Sequence, residues 1–122
     1  MVERSLPALP GDLRIAVDAL ETHKARDLVV LDLRGLCDAT DFFIIASGTS
    51  DTHVRALAES VVEGLRQGGE RPHHIEGLPG GRWVLLDFVD FVVHVFHPSL
   101  REFYQLERLW ADAPAVSTGS SR

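Results

Sequence analysis

The stretch "WVLLDFVDFVVHVFHPS", residues 83–99, decides the fold by the way it is divided. Read as one strand it is too long, since most strands run three to ten residues. Broken near Val89–Asp90, it becomes two strands, Trp83–Phe88 and Phe91–Phe96, joined by a tight turn. That turn lacks the glycine or asparagine that short hairpin connections favour. The segment also carries Asp87, Asp90, His94 and His97 within an otherwise apolar run. Carboxylates and imidazoles are costly to bury without partners. The segment is therefore either an active site or a surface that another molecule covers.

Upstream, the chain alternates between helical and strand patterns. Leu13, Ala16, Val17 and Leu20 recur at helical spacing behind Asp12, which is placed as an N-cap, and predict a helix over about 12–23. "LVVLDL" (28–33) is β-branched and mostly apolar, and reads as a strand. "FFIIASG" (42–48) is nearly uniform in apolarity, which suggests burial on both faces and an interior position in a sheet. Val54, Leu57, Ala58, Val61, Val62 and Leu65 form a helical stripe, with Thr49 or Ser50 as cap and Gly68-Gly69 as its end. A short strand near His73–Glu76 and the turn "GLPGG" lead into Trp83.

Beyond Pro98, Leu100, Phe103, Leu106 and Trp110 make a last helical stripe. Residues 1–11 read as a flexible arm, 12–112 as one folded domain, and 113–122 as a disordered tail. Helix, two strands, helix, three strands, helix predicts a single-domain α/β fold with a mixed sheet of about five strands flanked by helices.

The chain has 122 residues, enough for one hydrophobic core and too few for two. No apolar run approaches the roughly 18 residues of a membrane span. The opening "MVERSLPALPGDLR" has no apolar run of a secretory signal. The single cysteine, Cys37, cannot form an internal disulfide, and a cytoplasmic location is expected. The formal charge is −6. Between Asp12 and Asp51, eight acids (Asp12, Asp18, Glu21, Asp27, Asp32, Asp38, Asp41, Asp51) face four bases (Arg14, Lys24, Arg26, Arg34). Such a balance repels phosphate backbones and argues against direct nucleic-acid binding as the main activity. It suits a basic protein partner, or simply solubility.

Candidate chemistry is thin. His94 and His97 form H-x-x-H on a predicted strand, where positions three apart point to opposite faces and cannot share a metal. A buried, hydrogen-bonded His94 and a strand-end His97 are expected instead, and His73-His74 are separated by the same alternation. "GTSD" (48–51) lacks the lysine of a phosphate-binding loop, and helix capping accounts for it. Asp87 and Asp90 lack the Asp-x-Asp spacing of two-metal chemistry, and Cys37 has no identifiable base. No catalytic residue, cofactor or metal is expected.

Two blocks of this sequence, "DFFIIASGTSDTHVRALAESV" and "EGLPGGRWVLLDFVDFVVHVFHPSLREFYQLERLW", strongly resemble the ribosomal silencing factor family (RsfS, or Iojap). The resemblance runs from about Leu13 to Asp112. In one place the chain departs from it: the family commonly has Tyr-Gly where this chain has Phe88-Val89, which removes a hydroxyl and a flexible residue at the turn. The resemblance implies a non-enzymatic translation regulator with a nucleotidyltransferase-like fold. It implies binding to the large ribosomal subunit at ribosomal protein L-fourteen, blocked joining of the small subunit under nutrient limitation, and a homodimer.

With that resemblance, the partner-binding residues are expected to be Asp87 and Asp90, presenting acid, and Trp83, Phe88 and Tyr104 as aromatic anchors. The bland alternatives place Trp83 or Trp110 in the core, pair Arg101 with Glu107 on the surface, and leave His94 pinning its strand. Two other functions stay open. One is a residual nucleotide-binding or nucleotidyltransferase-type enzyme using Ser50, Asp51 and Asp87. The other is a dimeric scaffold for a different basic protein.

Overall fold

The computed structural model describes residues 11–35 and 38–100. Residues 1–10 of the expected arm, the part of the expected final helix that carries Tyr104 and Trp110, and the tail lie outside the described residues, while Gly11, expected in the arm, begins α1. The order of elements is α1 (Gly11–Thr22), β1 (Arg26–Asp32), β2 (Phe42–Ser47), α2 (Asp51–Gln67), β3 (His74–Glu76), β4 (Trp83–Asp87) and β5 (Phe91–Phe96). One five-stranded mixed sheet runs in the order β1-β2-β5-β4-β3. Only the β2–β5 pair is parallel, and the other three are antiparallel. The expected α/β domain with about five strands is present, and β2 is interior as its uniform apolarity predicts.

Both helices pack on one face. Leu13, Ala16, Val17 and Leu20 of α1 meet Val54, Leu57, Ala58, Val61 and Leu65 of α2 above Val30, Ile44, Val84, Leu86, Val93 and Val95 of the sheet. The opposite face carries a second cluster of Leu31, Leu33, Ile45 and Phe96, with Val29, Phe43, Trp83 and Leu100 packed against it. Alternation along each strand separates the two sets. No described helix is long and apolar enough to cross a membrane.

Caps and side-chain staples set the angle at which the helices enter. Ser50 caps α2, its hydroxyl accepting the His53 N–H at 3.1 Å. Asp12, expected as the cap of α1, instead lies inside its first turn, because the helix already begins at Gly11. The Thr49 N–H donates to His53 Nδ1 at 2.8 Å, so the ring proton sits on Nε2, which donates to the His23 carbonyl at 2.8 Å. One imidazole thereby joins the end of α1 to the start of α2. Gly48 permits the close β2–α2 junction, because a Cβ there would lie 2.9 Å from the Val54 nitrogen.

Leu57 is fully buried at the centre of the helix–sheet interface. Leu57→Ala is expected to destabilise the domain by roughly 2–5 kcal/mol. Urea unfolding checks it: the midpoint falls while the slope stays constant.

Candidate functional site

The β4–β5 connection is a turn of three residues whose geometry depends on Asp87 and Val89. The Phe88 N–H donates to the Phe91 carbonyl and the Asp90 N–H to the Phe88 carbonyl, each at 2.9 Å. The second bond spans only two residues and closes a γ-turn on Val89, whose φ is +75°. That form of γ-turn is rare and strained, and more so for a β-branched residue. Asp87 steadies it, its Oδ1 accepting the Val89 N–H at 2.8 Å. The Asp90 carbonyl accepts the Asp41 N–H at 2.9 Å, fastening the turn to the start of β2. Val89 is 54% exposed and so forms an apolar tip between two carboxylates.

The residues expected to bind a partner are placed unequally. Trp83, at the start of β4, is half-buried on the sheet face opposite the helices. Asp90 is exposed, whereas Asp87 is half-buried and committed to the turn. Phe88 corrects the expectation of a surface anchor. It is 8% exposed, lies in the helix-side core and stacks on Phe91 at 5.0 Å. Its parity explains this: Val84, Leu86 and Phe88 point toward the helices, while Trp83, Leu85 and Asp87 point away. Tyr104 lies outside the described residues.

The buried, hydrogen-bonded His94 expected from the sequence is found, whereas its partner, an acidic cleft and an arginine pairing carried no clear sequence signal. His94 is buried, and its Nδ1 accepts the Trp83 Nε1–H at 3.2 Å. Its ring meets the edge of Phe43 at 4.6 Å, and Trp83 stacks on Phe96 at 5.0 Å. Burial pushes the His94 pKa down to about 4. The imidazole is therefore neutral and carries its proton on Nε2, which has no hydrogen-bond partner among the described residues. Asp12 of α1, Asp41 before β2 and Asp90 of the turn line a cleft of about 150 Å³ together with Leu13, Phe42 and Phe91. Arg34 is held beside β2 by Asp32, with Nε–Oδ1 and Nη2–Oδ2 distances of 2.9 and 2.7 Å, and lies over the Phe42 ring.

The residues of the enzymatic alternative do not converge. The Ser50 hydroxyl caps α2, and Asp51 Oδ1 accepts the Thr52 N–H at 3.1 Å. The Asp51 backbone lies against Gly81, before β4, whereas Asp87 ends that strand, a rise of about 13 Å away. Among the described residues, no three His, Cys, Asp or Glu side chains are grouped to hold a metal ion.

Comparison with known proteins agrees with this architecture. The family profile described as "Ribosomal silencing factor during starvation" matches residues 7–122. The chain belongs to the ribosomal silencing factor family. The ribosomal silencing factor RsfS of Halalkalibacterium halodurans is 41% identical over 104 residues, spanning 85% of this chain and 89% of that one. The RsfS of Bacillus subtilis is 41% identical over 102 residues, 84% and 86% of the two chains. A crystal structure of a Chromobacterium violaceum protein superposes with a TM-score of 0.80 at 39% identity, covering 82% of this chain and 83% of that one.

Two measurements follow from this silencing-factor hairpin. Val89→Gly relieves left-handed strain worth about 1–2 kcal/mol and loses part of that to glycine's extra unfolded freedom. A net gain of about 1 kcal/mol should raise the melting temperature by about 4–8 °C. His94 makes stability depend on pH. An unfolded imidazole takes up its proton near pH 6.5, the buried one only near pH 4. Its contribution is fully present above about pH 6.5 and is lost as pH falls to about 4, by roughly 3 kcal/mol. Followed by urea unfolding from pH 7 to 4, wild type should lose stability relative to His94→Phe by that order.

Proposed function

We propose that this chain is a non-enzymatic translation regulator, which binds the large ribosomal subunit at ribosomal protein L-fourteen and blocks joining of the small subunit when nutrients are short. The observation that carries the reading is the family match over residues 7–122. In this reading the chain is cytoplasmic, its functional domain spans about residues 12–112, and the free protein is a homodimer. The scaffold is nucleotidyltransferase-like, and among the described residues Ser50 and Asp51 do not converge with Asp87.

The geometry supports a basic protein partner. Trp83 offers a large rigid surface on the sheet face opposite the helices, and at the other end of β4 an exposed Val89 is flanked by Asp87 and Asp90. Asp90, Asp12 and Asp41 add an acidic cleft beside the turn. Aromatic anchors rimmed by complementary charge are the usual composition of such interfaces. Asp90 is the clearer electrostatic contact, because Asp87 also holds the turn.

Co-sedimentation with purified subunits tests the reading. The chain should pellet with the large subunit and not with the small one, more weakly as salt rises. Asp90→Lys should melt within about 0.5 kcal/mol of wild type and yet lose at least tenfold in affinity, since it sets like charge against a basic partner. Sedimentation with the small subunit alone, or with neither, overturns the assignment.

A further inference from the structure

Trp83 and His94 meet because of strand register. Trp83 stands opposite Phe96, and Leu85 opposite His94, so His94 is the diagonal neighbour of Trp83 on the same face. Stacking on Phe96, with an interplanar angle of 28°, fixes the plane of the indole but lets it slide. The bond from Nε1–H to His94 Nδ1 fixes its edge. His94 is itself held, with Ile45 and Leu85 as its cross-strand neighbours and the Phe43 ring against its own.

We propose that His94 is the positioning residue of the docking face, holding the Trp83 indole from beneath in the orientation the partner meets. The proposal rests on the reading that the Trp83 face docks on the large subunit. His94 is 5% exposed and so is no anchor of its own. Nor does stability account for it. One ring nitrogen is buried without a partner among the described residues, and an apolar side chain of the same shape avoids that cost. What an apolar ring cannot do is accept the indole proton. Leaving a large side chain to be ordered on binding lowers affinity by up to about tenfold, and an indole already held avoids that loss.

The test follows three quantities in the full chain: melting temperature, the Trp83 indole N–H resonance in ¹⁵N-labelled protein, and affinity for purified large ribosomal subunits. Trp83→Phe assigns the resonance. In wild type, the indole proton should exchange slowly with solvent and resonate downfield of a free indole. His94→Phe should move that resonance upfield and weaken binding about three- to tenfold. His94→Asn, whose Oδ1 takes the place of Nδ1, should return both most of the way.

Trp83→Ala with unchanged affinity overturns the docking face and this proposal with it. Trp83→Ala that loses binding while His94→Phe binds like wild type overturns the positioning role alone. Should His94→Phe not fold, the wild-type spectrum still decides. An indole proton that exchanges as freely as an exposed tryptophan's refutes the proposal by itself.

Discussion

A parallel pair of strands cannot be joined by a tight turn, and the β2–β5 pair imposes that constraint on the whole molecule. The chain leaves β2 through α2, returns by way of β3 and β4, and only then lays β5 beside β2. The crossover places α2 over one face of the sheet, where α1 joins it. Strand β5 then pairs on both sides, with β2 and β4, and carries the core residues Val93 and Val95 toward the helices. His94 and Phe96 are sent to the other face by alternation alone. The pairing that closes the core therefore also assembles the aromatic cluster around Trp83.

The turn between β4 and β5 shows how local strain is carried by its surroundings. Val89 adopts a backbone conformation that valine resists, and three hydrogen bonds converge to hold it. Phe88 and Phe91 stack on the core side and anchor the turn from below. Strain of this kind persists only where neighbouring structure fixes it. Here the outcome is an apolar tip with acid on either side, presented at one end of the sheet. Asp87 thus serves the turn before it serves any partner, whereas Asp90 projects from an exposed position.

Much of the fold could be read in the sequence, because its strongest signals are periodic. The α2 stripe, the Ser50 cap and the uniform apolarity of β2 each have one structural solution, and all three are found. The division of residues 83–99 into two strands was also legible, from length alone. The site was less so. "WVLLDF" is apolar at nearly every position, so hydrophobicity does not say which side faces the helices. Composition groups Trp83 and Phe88 as anchors, but five residues on a strand place them on opposite faces. The Trp83–His94 bond depends on a register set by the turn, and the turn depends on a positive φ that valine does not advertise. The Asp12, Asp41 and Asp90 cleft unites residues far apart in sequence, visible beforehand only as an excess of acid.

In the proposed docking mode, the Trp83 face and the hairpin tip meet the ribosome and the outer side of α2 does not. Site-specific photocrosslinking tests it most directly. A photoreactive residue at position 90, on the hairpin, is compared with one at Glu59, on the exposed side of α2, each irradiated with purified large subunits. The account predicts a crosslink to a single basic ribosomal protein from position 90 and none from position 59. A crosslink from position 59, with position 90 silent, would contradict it.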